Sequence, residues 1–367
     1  MHIAITTDWL VARGGAERVI HEMQTLWPKA PIFTTIAKRQ CIEGYMSNVH
    51  TSRLQTLYRM ISEHKLLIPF MPRAVESWDL RGFDVIVSSS HAVAKGCIPP
   101  STATHICYCH TPMRYAWEME EKYLDDFHLF GPLRTLAKHE LTKLRAWDIA
   151  SAKRVDTFIA NSNEVAERIR RIYGRESIVL HPPVHDRFLS APIGAKEPFF
   201  LSVGRLVPYK HVNLAIEAAK MMNLPLKIVG DGPDRAKLRH MAGETVEFLG
   251  HLADDELAKL YGKARAVIFP VHEDAGIVPL ESQACGTPVI ALKMGGALDT
   301  IIENETGVFF AEQTAASLCE AIHRFDHMTF SPAKIRGHAQ KFSSLKFRTS
   351  LLSIVEQAVQ KQRNPKF

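Results

Sequence analysis

Residues Phe199–Lys210 read FFLSVGRLVPYK, and helical spacing of apolar residues begins at Val212. A short apolar run ends in a glycine, and a loop with two permanent cations, Arg205 and Lys210, leads into the helix. This is a β-loop-α unit: a strand buried on both faces, a turn, then a crossover helix. The same pattern recurs on either side. Upstream, apolar runs fall at Ile3–Thr7, Ile32–Thr35, Asp84–Ser88, Thr104–Cys109, Thr157–Asn161 and Ile178–His181. Phe199–Val203 is followed by Leu226–Gly230, Val246–Leu249, Ala266–Pro270, Pro288–Leu292 and Gly307–Phe310. Strands alternating with helical segments predict an α/β fold with parallel, doubly wound sheets. About twelve strands are too many for one Rossmann-like sheet and suit two.

The chain has 367 residues, enough for about two domains at ~150 residues each. Pro182, Pro183, Pro192 and Pro198, with Gly194 and Ala195, occupy a stretch without period. Residues 1–183 are therefore expected to form one domain, 184–198 a linker and 199–345 a second domain. Residues 346–367 have helical period in Leu351, Leu352, Val355, Ala358 and Val359.

With 46% hydrophobic and 23% charged residues, the composition excludes disordered and low-complexity classes. No apolar run reaches the ~18 residues of a membrane span. MHIAITTDWLVARGGAER has no signal-peptide pattern. A cytoplasmic location is expected, with Cys41, Cys97, Cys107, Cys109, Cys285 and Cys319 as reduced thiols. The net charge of +6 is compatible with an anionic substrate or an anionic membrane surface. Basic stripes interleaved with aromatics are missing, so no nucleic-acid partner is expected.

In doubly wound sheets ligands bind at the carboxyl ends of strands, so the loops after strands hold the candidate chemistry. After Ile3–Thr7, Gly14 and Gly15 open a helix. They let backbone amides approach a phosphate, or they simply make a tight turn. Arg205 and Lys210 suit phosphate oxygens, or a solvated loop. After Ala266–Pro270, Glu273 stands in the loop, and Pro279 places Glu281 in the first turn of the next helix. Two carboxylates there suit the hydroxyls of a sugar or ribose, while capping is the plain alternative and covers Glu281 more easily than Glu273. Gly276 exposes amides beside them. His110 lies at the tip of Thr104–Cys109. Cys107 and Cys109 lack zinc-ligand spacing and read as buried thiols. Gly230-Asp231-Gly232-Pro233 reads as a turn at the rim of a cleft. Arg53–Arg73 mixes Arg53, Arg59, Lys65 and Arg73 with apolar residues. It suits a membrane interface or a lipid-linked acceptor, and more readily an ordinary amphipathic helix packed on a core. No Asp-x-Asp occurs, so no metal–diphosphate site of that type is expected.

These pieces, G-R-L-V-P-Y-K, V-G-D-G-P, E-D-A-G-I-V-P-L-E-S-Q-A-C-G-T-P-V-I-A and G-G-A-L-D-T-I-I, resemble the retaining glycosyltransferases of family 4. Y-C-H-T-P-M-R-Y and E-D-x-G-I-V-P resemble the bacterial GDP-mannose-dependent polysaccharide mannosyltransferases within it. The resemblance runs over nearly the whole chain. It implies the GT-B fold, two Rossmann-like domains with a cleft between them, and a last helix that crosses back to the first domain.

The resemblance also implies roles. Arg205 and Lys210 match the pair that neutralises the donor diphosphate, after Gly204. Glu273 matches the carboxylate on the donor sugar's hydroxyls, and Glu281 the one on the ribose. Gly276, Ile277 and Val278 match the loop whose amides touch sugar and phosphate. Ala275 stands where the family often has an aromatic, which leaves donor identity open. Gly14 and Gly15 match the glycine loop that meets the diphosphate on domain closure. Gly230 and Asp231 complete the donor-side rim, and His110 matches the histidine near the reacting sugar.

The function so implied is transfer of a sugar, mannose from GDP-mannose, to a saccharide or lipid-linked saccharide. The setting is bacterial surface polysaccharide or lipopolysaccharide synthesis, without a cofactor or metal, with peripheral contact at the inner membrane surface. A UDP-sugar-dependent transferase of the same fold is the alternative, followed by a catalytically silent sugar-nucleotide-binding module.

Overall fold

The structure is a computed structural model. It describes all residues except Arg13, Met46, Ser47, Met119, 127–129 and 364–367, and all side chains except those residues and Tyr115, Lys122, Tyr123 and Asp126. The chain divides into two units, Met1–His181 with Phe347–Phe367, and Pro182–Lys346.

In the first unit, seven strands form one parallel sheet: β1 (Ile3–Thr7), β2 (Ile32–Thr34), β3 (Val49–Thr51), β4 (Val85–Ser90), β5 (Thr104–Cys109), β6 (Thr157–Ala160) and β7 (Ser177–Val179). Their order is β3-β2-β1-β4-β5-β6-β7. The chain winds outward from β1 to β3, returns to β4 and then winds the other way. The reversal thus lies between β1 and β4, which pair in register with Thr7 opposite Ser89. Every residue of β1, β4 and β5 is buried, as strands covered on both faces by helices require.

The second unit repeats the plan with β8 (Phe200–Val203), β9 (Leu226–Val229), β10 (Val246–Gly250), β11 (Ala266–Phe269), β12 (Val289–Leu292) and β13 (Gly307–Phe310). The order is β10-β9-β8-β11-β12-β13, so its reversal lies between β8 and β11. The two doubly wound parallel sheets are those the alternating runs implied.

Several expectations need correction. β3 was not foreseen: Val49–Thr51 is a short edge strand, half-buried to exposed, without an apolar run to announce it. β4 runs to Ser90 rather than Ser88, because Ser89 and Ser90 are buried in the ladder despite their polarity. Residues 184–198 are not a linker. Val184 and Phe188 are wholly buried in the second unit's core with Leu201 and Tyr261, and Asp186–Ser190 is helical. The prolines break periodicity there without releasing the chain. Arg53–Arg73 is not one helix. Leu54–Ile61 ends at Ser62 (φ 59°), His64–Phe70 is a 3-10 turn, and a second helix follows from Met71.

The terminal helix, Ser344–Arg363, spans the unit boundary. Phe347, Leu351 and Val355, spaced by four residues on one stripe, are buried among Ile3, Ile5, Val87 and Tyr108 of the first unit. Arg348 Nη1 pairs with Glu22 Oε2 at 2.6 Å on the helix Gly15–Leu26.

Candidate active site

In the second unit the important loops follow the two reversal strands. β8 ends before Gly204, and Pro208–Lys210 forms a 3-10 turn. Lys210 Nζ there forms an ion pair with Glu273 Oε1, in the loop after β11. Both side chains are largely shielded, 18% and 22% exposed, so their attraction is less screened than that of a surface pair. Arg205, on the same loop as Lys210, is exposed and makes no ion pair among the described residues. Its guanidinium is open to an anion.

Gly276 caps the helix Ile277–Ala284 with φ 67°, a left-handed conformation that a Cβ would strain. Ile277 and Val278 are the first two helical residues, and amides in this position have no acceptor within the helix. The loop has a rigid back wall. Gly296 N–H donates to the Glu273 carbonyl at 2.9 Å, and a Cβ on Gly296 would stand 2.5 Å from Ala275 Cα.

Two donor-side expectations change. Glu281 is the fifth residue of its helix, not in the first turn, and is 4% exposed. Tyr261 O–H donates to its Oε2 at 3.2 Å. It therefore stands one turn behind the Gly276 cap, packed into the unit. The Asp231 carboxylate is already engaged. Oδ1 accepts from Gly232 N–H at 2.7 Å and Oδ2 pairs with Arg235 at 3.1 Å. It shapes its own turn after Gly230, and Leu206 N–H ties that turn to the Arg205 loop through the Asp231 carbonyl, 2.9 Å away.

In the first unit, Gly14 caps the helix Gly15–Leu26 in extended backbone with no side-chain cap. His110 follows β5, and its Nε2 lies 2.8 Å from Ser89 Oγ. Burial, then the charge of His91, push the His110 imidazole down to about 3, so it is neutral at ordinary pH.

A further cluster was missed in the sequence. Asp8, wholly buried after β1, accepts hydrogen bonds from the backbone N–H groups of His91 (2.6 Å), Ala92 (3.1 Å), Val93 (2.6 Å) and Ala94 (2.6 Å). Its Oδ2 also lies 3.0 Å from His91 Nδ1. Burial alone would raise the Asp8 carboxyl. The charge of His91 and the hydrogen bonds from His91 and Ala94 outweigh it and hold the group well below the usual carboxylate range. The available signal was a histidine directly after a strand, hidden because that strand was ended too early.

The architecture defines a class. Two doubly wound parallel-sheet units, with glycine loops, cations and carboxylates after the strands that flank each reversal, are the architecture of the GT-B fold. The family model for Glycosyltransferase Family 4 matches residues 13–187, and that for glycosyl transferases group 1 matches residues 187–342. The chain belongs to the family 4 glycosyltransferases of GT-B fold.

A D-inositol 3-phosphate glycosyltransferase of Gordonia bronchialis is 28% identical over 249 residues, 57% of this chain and 54% of that one. The matches span between 35% and 63% of the length of these curated relatives. The structure of Anabaena HepE in complex with UDP-glucose matches with a TM-score of 0.70 at 17% identity, over 97% of this chain and 100% of that one. The apo lipopolysaccharide outer core galactosyltransferase WaaB matches with a TM-score of 0.63 at 16% identity, over 100% of both chains. At these identities the structural likeness establishes the fold.

Proposed function

We propose that this chain is a retaining glycosyltransferase using a nucleoside-diphosphate sugar, with GDP-mannose the expected donor. Its acceptor is a saccharide or lipid-linked saccharide in bacterial surface polysaccharide synthesis. The observation that carries this reading is the Lys210–Glu273 pair at the reversal of the second sheet, beside the Gly276 helix start. A cation and helix amides suit a diphosphate, and a carboxylate suits sugar hydroxyls. Exposed Arg205 adds a bidentate donor.

The difficult step breaks the bond between the anomeric carbon and a phosphate oxygen. Negative charge grows on the leaving diphosphate, and preorganised cations and amides stabilise it. In this reading Arg205 and Lys210 do so without a metal. The leaving phosphate accepts the acceptor hydroxyl's proton as the new bond forms on the same face, so configuration is retained. Glu273 holds hydroxyls and is not the nucleophile. A trapped glycosyl adduct on Glu273 would contradict this route.

The first unit carries a surface suited to contact with the inner membrane. Met60 (80% exposed), Phe70 (56%), Leu133 (63%) and Leu136 (58%) are apolar and open. Leu66, Pro69, Leu133 and Leu136 line one groove. Arg53, Arg59 and Arg73 of the 53–73 segment are exposed and make no ion pair among the described residues. A lipid-linked acceptor would be met at such a surface.

Calorimetric titration with GDP-mannose, GDP, UDP-glucose and UDP, with and without EDTA, tests the donor reading. Selective binding of the GDP ligands that survives EDTA supports it. Selective UDP binding replaces the donor, a choice that Ala275 and the UDP-glucose complex of HepE keep in view. Donor binding without turnover across saccharide acceptors would favour a silent binding module. Absence of all nucleotide binding by folded protein would overturn it.

A further inference from the structure

Each unit joins the loops after its two reversal strands by a basic side chain paired with a carboxylate, in opposite order along the chain. In the second unit the cation, Lys210, follows β8 and the carboxylate, Glu273, follows β11. In the first unit the carboxylate, Asp8, follows β1 and the imidazole, His91, follows β4. The crevice outside such a strand pair is the ligand position of doubly wound sheets.

The His91 ring is not needed to build the turn. Asp8 organises residues 91–94 through backbone amides that any residue but proline at 91 would supply. Yet the ring is held in one orientation. Nδ1 lies on Asp8, the ring stands edge-on to Trp9 at 4.6 Å, and the side chain is 27% exposed. No described residue supplies a hydrogen-bond partner to Nε2.

The charged and titratable neighbours are few. Asp8 lies behind the ring, Glu17 faces it from the helix Gly15–Leu26, and His110 stands 6.4 Å away at the end of β5. His64 lies across Trp9, 5.2 Å from that indole. Burial disfavours the imidazolium, but Asp8 and Glu17 more than offset this and raise the His91 pKa above its ordinary value. Of two neighbouring histidines, one thus favours the charged form and the other the neutral.

We propose that His91, oriented by Asp8, binds a phosphate oxyanion of a substrate at the reversal point of the first sheet, with Nε2–H as donor. The N-terminal amides of the helix Gly15–Leu26 would add to it. Glu17 opposes it with a negative charge. The phosphate belongs to the donor's diphosphate or to a phosphate on the acceptor lipid. The choice between these rests on the sugar-nucleotide reading, whereas the oxyanion chemistry does not.

The test compares wild type, His91→Gln and Glu17→Gln. Asp8 is left intact, since replacing it would strand four buried amides. Each protein is titrated with GDP, UDP, inorganic pyrophosphate and citronellyl phosphate at pH ~6 and ~8.5, either side of imidazole titration. His91→Gln should weaken the responsive phosphate ligand about tenfold at the lower pH, the scale of one charge-assisted hydrogen bond. It should also remove the part of the wild-type pH response due to imidazolium loss. Glu17→Gln should tighten the same ligand.

A loss confined to GDP, UDP and pyrophosphate assigns the donor diphosphate, and one confined to citronellyl phosphate assigns the acceptor. His91-dependent binding of pyrophosphate or citronellyl phosphate without nucleotide binding would keep this assignment and sink the donor reading. Wild-type affinity and pH response in His91→Gln for all four ligands, or no binding of any by wild type, would overturn the proposal.

Discussion

Lys210 and Glu273 hold each other across the loops that follow β8 and β11. Each is thereby aimed by the other, and removing either leaves a partly shielded charge without this partner. Lys210→Ala and Glu273→Gln are each expected to lower kcat/KM for the donor about 10²–10³-fold. The double variant should lose less than the product of the two, as coupled groups do. Steady-state kinetics on the three variants checks this, and a fully multiplicative loss would show that the residues act independently.

Gly296 sits against the Glu273 loop with ordinary backbone (φ −65°). Its substitution is therefore a purely steric probe. Gly296→Ala should displace Ala275 and the Glu273 carbonyl, costing about 1–3 kcal/mol of stability as overpacking does. Donor affinity should fall as well. Melting and donor titration together are the measurement, and unchanged donor affinity would remove this loop from the site.

The terminal helix should be part of the first unit's stability. Leu351 is wholly buried among Ile3, Ile5 and Tyr108. Leu351→Ala is expected to cost about 2–5 kcal/mol. Trp9, Trp27, Trp78, Trp117 and Trp147 all belong to that unit, so tryptophan fluorescence reports it selectively. An unshifted fluorescence transition would count against the packing.

Acid should loosen the same unit. His105 is wholly buried between Ser88 Oγ, 2.6 Å from Nε2, and the Arg154 carbonyl, 3.0 Å from Nδ1. Burial brings it down to about 4, and His110 is shifted the same way. Below the unfolded imidazole pKa of ~6.5 the unfolded chain binds protons that the folded histidines refuse, so stability falls as pH drops towards 4. The His105 contribution is about 2 kcal/mol by pH ~5. Asp8, shifted low, loses its contribution only in stronger acid. Tryptophan-monitored melts from neutral to acid pH check the window, and a flat profile above pH ~5 would contradict it.

Met60→Glu and Phe70→Glu place charge on exposed apolar positions. Both should reduce cosedimentation with vesicles containing anionic lipid, and Arg59→Glu should do so more strongly at low salt than at high. Donor affinity should stay at the wild-type value. Equal sedimentation of wild type and variants would remove this surface as a membrane contact.

Much of this molecule is legible in neighbouring residues. Apolar runs bounded by Gly, Pro and Asp mark all but one strand, most continuously in β11, β12 and β13, where every residue is buried. The turn from β8 into its helix and the glycine at 276 carry their own conformational signals. β3 escaped because Val49-His50-Thr51 holds a single apolar residue, and residues 182–198 misled because proline interrupts periodicity whether or not the segment packs.

What the linear order could not supply is which loops meet. Asp8 and His91 are 83 positions apart, and nothing local to either announces the other. Their pairing, like that of Lys210 with Glu273, follows from where each sheet reverses its winding. The depth of Glu281 follows likewise from Tyr261 packing against its helix. Periodicity and turn chemistry are short-range properties, encoded within a few residues of where they act. Charge pairing, burial of a carboxylate and the shifted histidines depend on strand order and core packing, which form only when distant segments exclude water together.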